Sequence, residues 1–213
     1  MHCILLSHVF VRPWESYKLD IIDLAVSHYK LNNECPLILA GHGIRPRQST
    51  IEKVDHLIWH NDIIESEIGV GHPFLVNSGL DVAKEKGYSH VLKMRADGVL
   101  LMSNAVDFCL RILESERREL LVTQQTSISN FWMGDLFMFS EIGLMKKLWI
   151  IDGWYPTNTG LTKVASNFLR QSGLDEYEKA LHRQVSFRET PSIKWIDLGS
   201  NWGALSGCER SEE

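Results

Sequence analysis

Residues 89–102, SHVLKMRADGVLLM, restrict the fold of this chain more than any other stretch. The pattern is that of a buried β-strand, yet Lys93, Arg95 and Asp97 stand at its centre. Strand side chains alternate between faces, so these three charges share one side while Leu92, Met94 and Ala96 share the other. Two cations and a carboxylate aligned at the end of a buried strand are costly to desolvate without a partner. The segment therefore reads as an inner strand of a sheet whose charged end borders a site for a metal-bound, phosphate-bearing ligand.

Along the rest of the chain, apolar strand-like runs alternate with amphipathic helical ones. Residues 3–10 read as a strand, and 17–31 as a helix with Ile21, Ile22, Ala25, Val26 and Tyr29 on one stripe. A second strand at 36–40 (PLILA) is closed by Gly41-His42-Gly43, and 56–60 (HLIWH) is a third. A helix over 73–86 ends at Gly87, the residue a helix C-terminus favours. After the Lys93 strand come a helix at 104–116, strands at 120–123 and 135–140, and a helix at 142–149. The last third holds a loop at 154–160, a helix around 161–171 and strands near 185–188 and 194–198. This order predicts an α/β fold with a mainly parallel central sheet flanked by helices. Such sheets bind ligands at the carboxyl ends of their strands. Residues 7–12, 41–47, Asn61-Asp62 and 95–98 are thereby drawn around a common crevice.

Composition narrows the partners. With 213 residues, 44% of them hydrophobic, the chain is large enough for one substantial domain with its own core. A formal charge of -5 argues against a sequence-independent grip on nucleic acid, which needs a basic face. No apolar run reaches the ~18 residues of a membrane-spanning helix. The start, MHCILLSHVF, lacks a basic leader and reads as the first buried strand. Cys3, Cys35, Cys109 and Cys208 are dispersed with no Cys-x-x-Cys pair, so neither a zinc knuckle nor a disulfide framework is expected. A soluble chain in a reducing, cytoplasmic compartment is the simplest expectation. The polar end ERSEE reads as a frayed tail or as a junction to the rest of a longer, multidomain chain.

The order of a strand-one loop, a helix carrying Gly79-Leu80 and Ala83, the strand Val91-Leu92-Lys93-Met94-Arg95-Ala96-Asp97 and the later Gly134-Asp135-Leu136-Phe137-Met138-Phe139 resembles the GT-A glycosyltransferases. More narrowly, it is similar to the lipopolysaccharide-synthesis (WavE-like) group and to glycosyltransferase domains encoded by large algal viruses. The resemblance covers roughly residues 1–150. It implies a Rossmann-like single domain, with about 1–103 holding a nucleoside diphosphate sugar, a UDP-sugar by preference, and about 104–213 a carbohydrate acceptor. It also implies a Mn2+ or Mg2+ ion held by Asp97, which would neutralise the diphosphate as it leaves. The family's Asp-x-Asp signature falls on Arg95-Ala96-Asp97, so only the second carboxylate is present. Such ions take much of their shell from diphosphate and water, which makes a single protein carboxylate sufficient in principle. Arg95 and Lys93 would add positive charge, with Ser7 and Arg12 as further nucleotide contacts. Asp135 is the expected catalytic carboxylate, and His182 a candidate second metal ligand.

Each of these residues has a plainer explanation. Asp97 followed by Gly98 is a common turn pair, and the plainer reading of Arg95 is a structural ion-pair partner of Asp97. Asp135 could be a solvent-facing strand residue, and Asp152 a turn former. Trp154-Tyr155-Pro156 reads as core or as a sugar-stacking platform. Two other functions compete: a nucleotide-sugar-binding module with a decayed active site, and a histidine phosphatase. The phosphatase reading rests on Gly41-His42-Gly43-Ile44-Arg45-Pro46-Arg47, where the motif's leading arginine is a glycine.

Overall fold

The computed structural model describes residues 1–61, 71–127, 130–149, 193–196 and 202–204. Its strands are β1 (His2–Val11), β2 (Leu37–Gly43), β3 (His56–His60), β4 (His90–Arg95), β5 (Gly98–Leu100), β6 (Leu120–Ser127), β7 (Asn130–Glu141), β8 (Ile193–Ile196) and β9 (Trp202–Ala204). The helices are α1 (Lys18–Asn32), α2 (Gln48–Ile51), α3 (Gly71–Glu85), α4 (Ala105–Glu116) and α5 (Ile142–Leu148), with a short 3-10 turn at Pro13–Glu15. Among the described residues seven strands form one sheet in the order β3-β2-β1-β4-β7-β6-β8, and β5 pairs with β9 in a separate two-stranded sheet. Strands β3, β2, β1 and β4 run parallel, β7 runs antiparallel to both its neighbours, and β8 is parallel to β6. The α/β fold with its mainly parallel sheet is as the sequence predicts.

Burial explains why the inner strands carry little polar alternation. In β1, Cys3 and Leu5 enter one core and Ile4, Leu6 and Val11 the other, so both faces are covered. The first core lies under α3 and α5, with Leu75, Val76, Leu80, Ala83, Met145 and Leu148 packed on it. The second lies under α1 and α4 through Ile22, Ala25, Val26, Tyr29, Val106 and Cys109. Strand β3 is half-buried throughout, as suits an edge. Helix α3 lies so close to β1 that a Cβ on Gly79 would stand 2.3 Å from Leu5 Cδ1.

Two features differ from the sequence reading. Strand β4 ends at Arg95, and after a turn at Ala96-Asp97 the chain enters β5 in the second sheet, where Gly98 pairs with Ala204 and Leu100 with Trp202. The turn is anchored from α1: Tyr29 Oη accepts the Leu100 N–H at 3.0 Å, and Asn33 Oδ1 accepts the Ala105 N–H at 2.8 Å. Strand β7 also begins at Asn130, earlier than the apolar run alone suggests. The strand expected near 185–188 and the helix around 161–171 lie outside the described residues.

Candidate functional site

Chain order reverses about β1. Strands β2 and β3 build outward on one side, and the chain then returns through α3 to place β4 on the other. The crevice of such a sheet lies at this switch point, outside the carboxyl ends of β1 and β4. At the carboxyl end of β4, Arg95 pairs in register with Ser7, which precedes the end of β1 at Val11, and the Ala96 N–H donates to the Ser7 carbonyl at 3.1 Å. Parallel partners in register point to the same face. Ser7 and Arg95 therefore both point to the α3 side, since Leu6, Met94 and Ala96 belong to the opposite core.

The described structure bears out the alternation expected of residues 92–97 and assigns the charges distinct surroundings. Lys93 is 0% exposed, with its Nζ 5.0 Å from the centroid of the Trp149 ring. A desolvated cation–π contact of this kind contributes roughly 2 kcal/mol. Lys93 thus lies beneath the rim of the crevice and not at its mouth. Arg95 and Asp97 form a fork: Arg95 Nε donates to Asp97 Oδ1 at 2.9 Å, and Arg95 Nη2 donates to Asp97 Oδ2. Both side chains keep about a quarter of their surface, 27% each, in contact with solvent. Beside this fork Ser7 is 0% exposed, and its Oγ meets no hydrogen-bond partner among the described residues. A buried hydroxyl without a partner costs free energy unless water or a ligand completes it.

Both Asp97 oxygens accept from Arg95, and among the described residues no three of His, Cys, Asp and Glu come together as a metal-binding group. A divalent ion at Asp97 would share the carboxylate with that guanidinium. His182, Asp152 and Trp154-Tyr155-Pro156 lie outside the described residues, as does Asp62.

Arg12 follows β1 directly. Its Cζ lies 5.5 Å from the Trp14 ring, and its backbone N–H donates to Glu15 Oε2 at 3.3 Å. Trp14 is 73% exposed, an apolar plate on the loop that leaves β1. Asp135 lies in β7 two residues before Phe137, which pairs with Met94, so its backbone approaches the end of β4. On the other side, Val122 pairs with Met138 and Gln124 with Met133, leaving residues 134–137 opposite Thr123 alone. Bulges of this kind bend a strand and re-aim its side chains, often beside active sites.

His42 sits at the end of β2, 4% exposed and paired in register with His60 of β3. Burial, followed by the charge of His60, lowers its pKa from the ordinary 6.5. His60 Nε2 is buried without a hydrogen-bond partner among the described residues, and its ring meets Phe74 of α3 edge-on at 5.2 Å. A phosphatase nucleophile must reach a phosphoryl group, whereas His42 is only 4% exposed, and Arg47 of the same loop is tied to Asp20 of α1 at 2.6 Å. Sequence reasoning missed Trp14 and His60. Trp14 had a signal in its position directly after a strand-one loop, but His60 acquires its neighbours only through strand pairing.

No protein-family model matches the chain, and no curated protein matches it. Among solved structures it is similar to a cytidylyltransferase from Leptospira borgpetersenii serovar Hardjo-bovis, at 13% identity and TM-score 0.49 over 92% of this chain and 76% of that one. It is also similar to TarS of S. aureus, at 11% identity and TM-score 0.44 over 78% of this chain and 33% of that one. A third is a putative nucleotide-diphospho-sugar transferase from Desulfovibrio desulfuricans G20, at 11% identity and TM-score 0.46 over 89% and 90%.

Proposed function

We propose that this chain is a glycosyltransferase that moves a sugar from a nucleoside diphosphate sugar, a UDP-sugar by preference, to a carbohydrate acceptor, as in the lipopolysaccharide-synthesis and algal-virus enzymes its sequence resembles. One observation carries the reading. At the switch point of a parallel sheet, a buried hydroxyl awaiting a partner, Ser7 Oγ, sits in register with a guanidinium held in a carboxylate fork. Arginine presents the planar donor geometry that phosphate oxygens match, and it retains its charge at any physiological pH. The exposed ring of Trp14, on the loop that leaves β1 and 5.5 Å from the Arg12 Cζ, is the stacking surface proposed for the nucleobase.

In the reaction the bond from the sugar's anomeric carbon to the diphosphate oxygen breaks, and a bond from that carbon to the acceptor oxygen forms. The departing diphosphate gains negative charge, which Arg95 stabilises more in the transition state than in the ground state. The acceptor hydroxyl gives up its proton to Asp135, the carboxylate on the β7 bulge.

A second reading, a binder without turnover, draws on the same fork, because Arg95 replaces the carboxylate that the resemblance would place there. A thermal-shift screen of UDP-, GDP- and dTDP-sugars tests binding, since a ligand at a hundred times its dissociation constant adds about 2.7 kcal/mol to stability. UDP release in the presence of oligosaccharide acceptors then separates enzyme from binder. Stabilisation by a UDP-sugar with nucleotide release is expected. No stabilisation by any nucleotide sugar would contradict the proposal, and stabilisation without release would favour the binder.

A further inference from the structure

We infer that β3 is an interface strand: a second copy of this chain lays its own β3 antiparallel to the first across a two-fold axis at Ile58, joining the two sheets into one. The inference is independent of the nucleotide-sugar reading. Among the described residues β3 is an edge, paired with β2 alone. It carries none of the devices that guard a natural edge, having no lysine, no proline and an unbroken register. The chain bears a formal charge of -5, yet no carboxylate or ammonium falls within His56–His60, so two copies meet there without repulsion.

The strand's own sequence selects the partner. HLIWH is symmetric about Ile58, with a large apolar residue on either side and a histidine at each end. Turned antiparallel about that point, Ile58 meets the partner's Ile58, Leu57 the partner's Trp59, and His56 the partner's His60. Backbone directions agree. The Pro36 carbonyl accepts the Ile4 N–H and the Leu37 carbonyl the Asp55 N–H, each at 2.9 Å, so odd-numbered residues of β2 face β3. With Leu39 in register with Leu57, their bonds go to His56, Ile58 and His60, and the N–H and C=O of Leu57 and Trp59 leave the outer edge. Leu57 and the partner's Trp59 then form a pair that exchanges both N–H···O bonds, as does the symmetric pair across the axis. Ile58 and the histidines take the positions between, where cross-strand side chains approach most closely. Beside them Phe74 of α3, 40% exposed and edge-on to His60, extends the apolar surface. Because β3 runs in opposite directions in the two copies, their carboxyl-end crevices open at opposite ends of the joined sheet.

So small a contact belongs to the weak, reversible class, so the test is sedimentation equilibrium of the full chain from about 1 to about 100 μM, with amide exchange followed over the same range. A monomer–dimer equilibrium with nothing larger is expected, because an isologous contact closes on two copies. The Leu57 and Trp59 amides should exchange about tenfold more slowly at the upper concentration, while those of Ile58 and His60, already bonded to β2, should not change. Ile58→Lys and Ile58→Glu each set like charges opposite one another and should raise the dimer dissociation constant by about tenfold or more. An equimolar mixture of the two should recover the dimer. Melting curves establish that each variant is folded, and the exchange measurement needs no variant. A wild type that stays monomeric throughout, a ladder of larger species, or a dimer in which the Leu57 and Trp59 amides exchange at the monomer's rate would each overturn the inference, as would folded charge variants that dimerise like wild type.

Discussion

Arg95 and Asp97 are two residues apart, and that spacing lets the guanidinium fold back on the carboxylate as the strand ends. The alternation that separates Lys93 and Arg95 from Leu92 and Met94 is legible in the sequence because it needs no partner strand. What the sequence does not reveal is that Lys93 is sealed under Trp149 while Arg95 keeps about a quarter of its surface exposed, since Trp149 arrives from a helix far along the chain. For the same reason neither the orphaned Ser7 hydroxyl nor the His42–His60 pairing was readable. Asp135→Asn should leave UDP affinity within about threefold while cutting transfer by ~10²-fold or more, because a proton acceptor acts chiefly in the transition state. Titration and turnover measured in parallel check this, and unchanged turnover would remove Asp135 from the reaction. Trp14→Ala should cost UDP about 1–3 kcal/mol of stacking, with inorganic diphosphate affinity unaltered. Equal affinity of wild type and variant for UDP would show that the base lies elsewhere.

Among the elements, those with strong local signals match their expected positions. Strand β3 spans His56–His60 as expected, and α4 starts one residue after the expected helix onset and ends with it at Glu116. Helix α3 ends with Gly87 in a left-handed conformation, φ 73°, where a helix C-terminus calls for glycine. The short β5 was hidden because its partner, β9, is remote in sequence and its three residues carry no periodicity. The early start of β7 was hidden by its bulge, which breaks the two-residue repeat at 134–137. Gly79 offers a test of how α3 seats on β1. An added Cβ would lie 2.3 Å and 2.8 Å from the two Leu5 methyl carbons, so Gly79→Ala should destabilise by roughly 1–3 kcal/mol through overpacking. Shortening the obstruction with Leu5→Val in the same chain should restore part of that loss, measured by denaturant unfolding. Additive losses in the double variant would mean that the helix, not the side chain, has moved.

For the molecule as a whole, histidines that are buried or partly buried couple stability to pH. His2, His42 and His90 all have pKa values below the ordinary 6.5, with burial the largest cause for each. Below pH 6.5 the unfolded chain therefore takes up protons that the folded chain refuses, so stability falls as pH drops through this window and is unaffected by these groups above it. The melting temperature should decline between pH 7 and pH 5.5, and His42→Gln should flatten part of the decline. A flat profile would show that the rings ionise freely in the fold. Two open cavities, about 440 and 490 Å³, lie at the opposite rim, by the amino ends of β4 and β1. The first is lined by residues of both charges, Glu114 and Glu141 with Arg118 and Lys147, and the second includes Cys35, whose thiol burial pushes up to about 11. Neither rim has the switch-point geometry, which makes the location of bound nucleotide the decisive observation. A crystal structure of the chain with UDP is expected to show the diphosphate between the carboxyl ends of β1 and β4, within hydrogen-bond reach of Arg95 and Ser7, with the uracil toward Trp14. UDP seated in either opposite cavity, or a diphosphate out of reach of Arg95, would contradict the account.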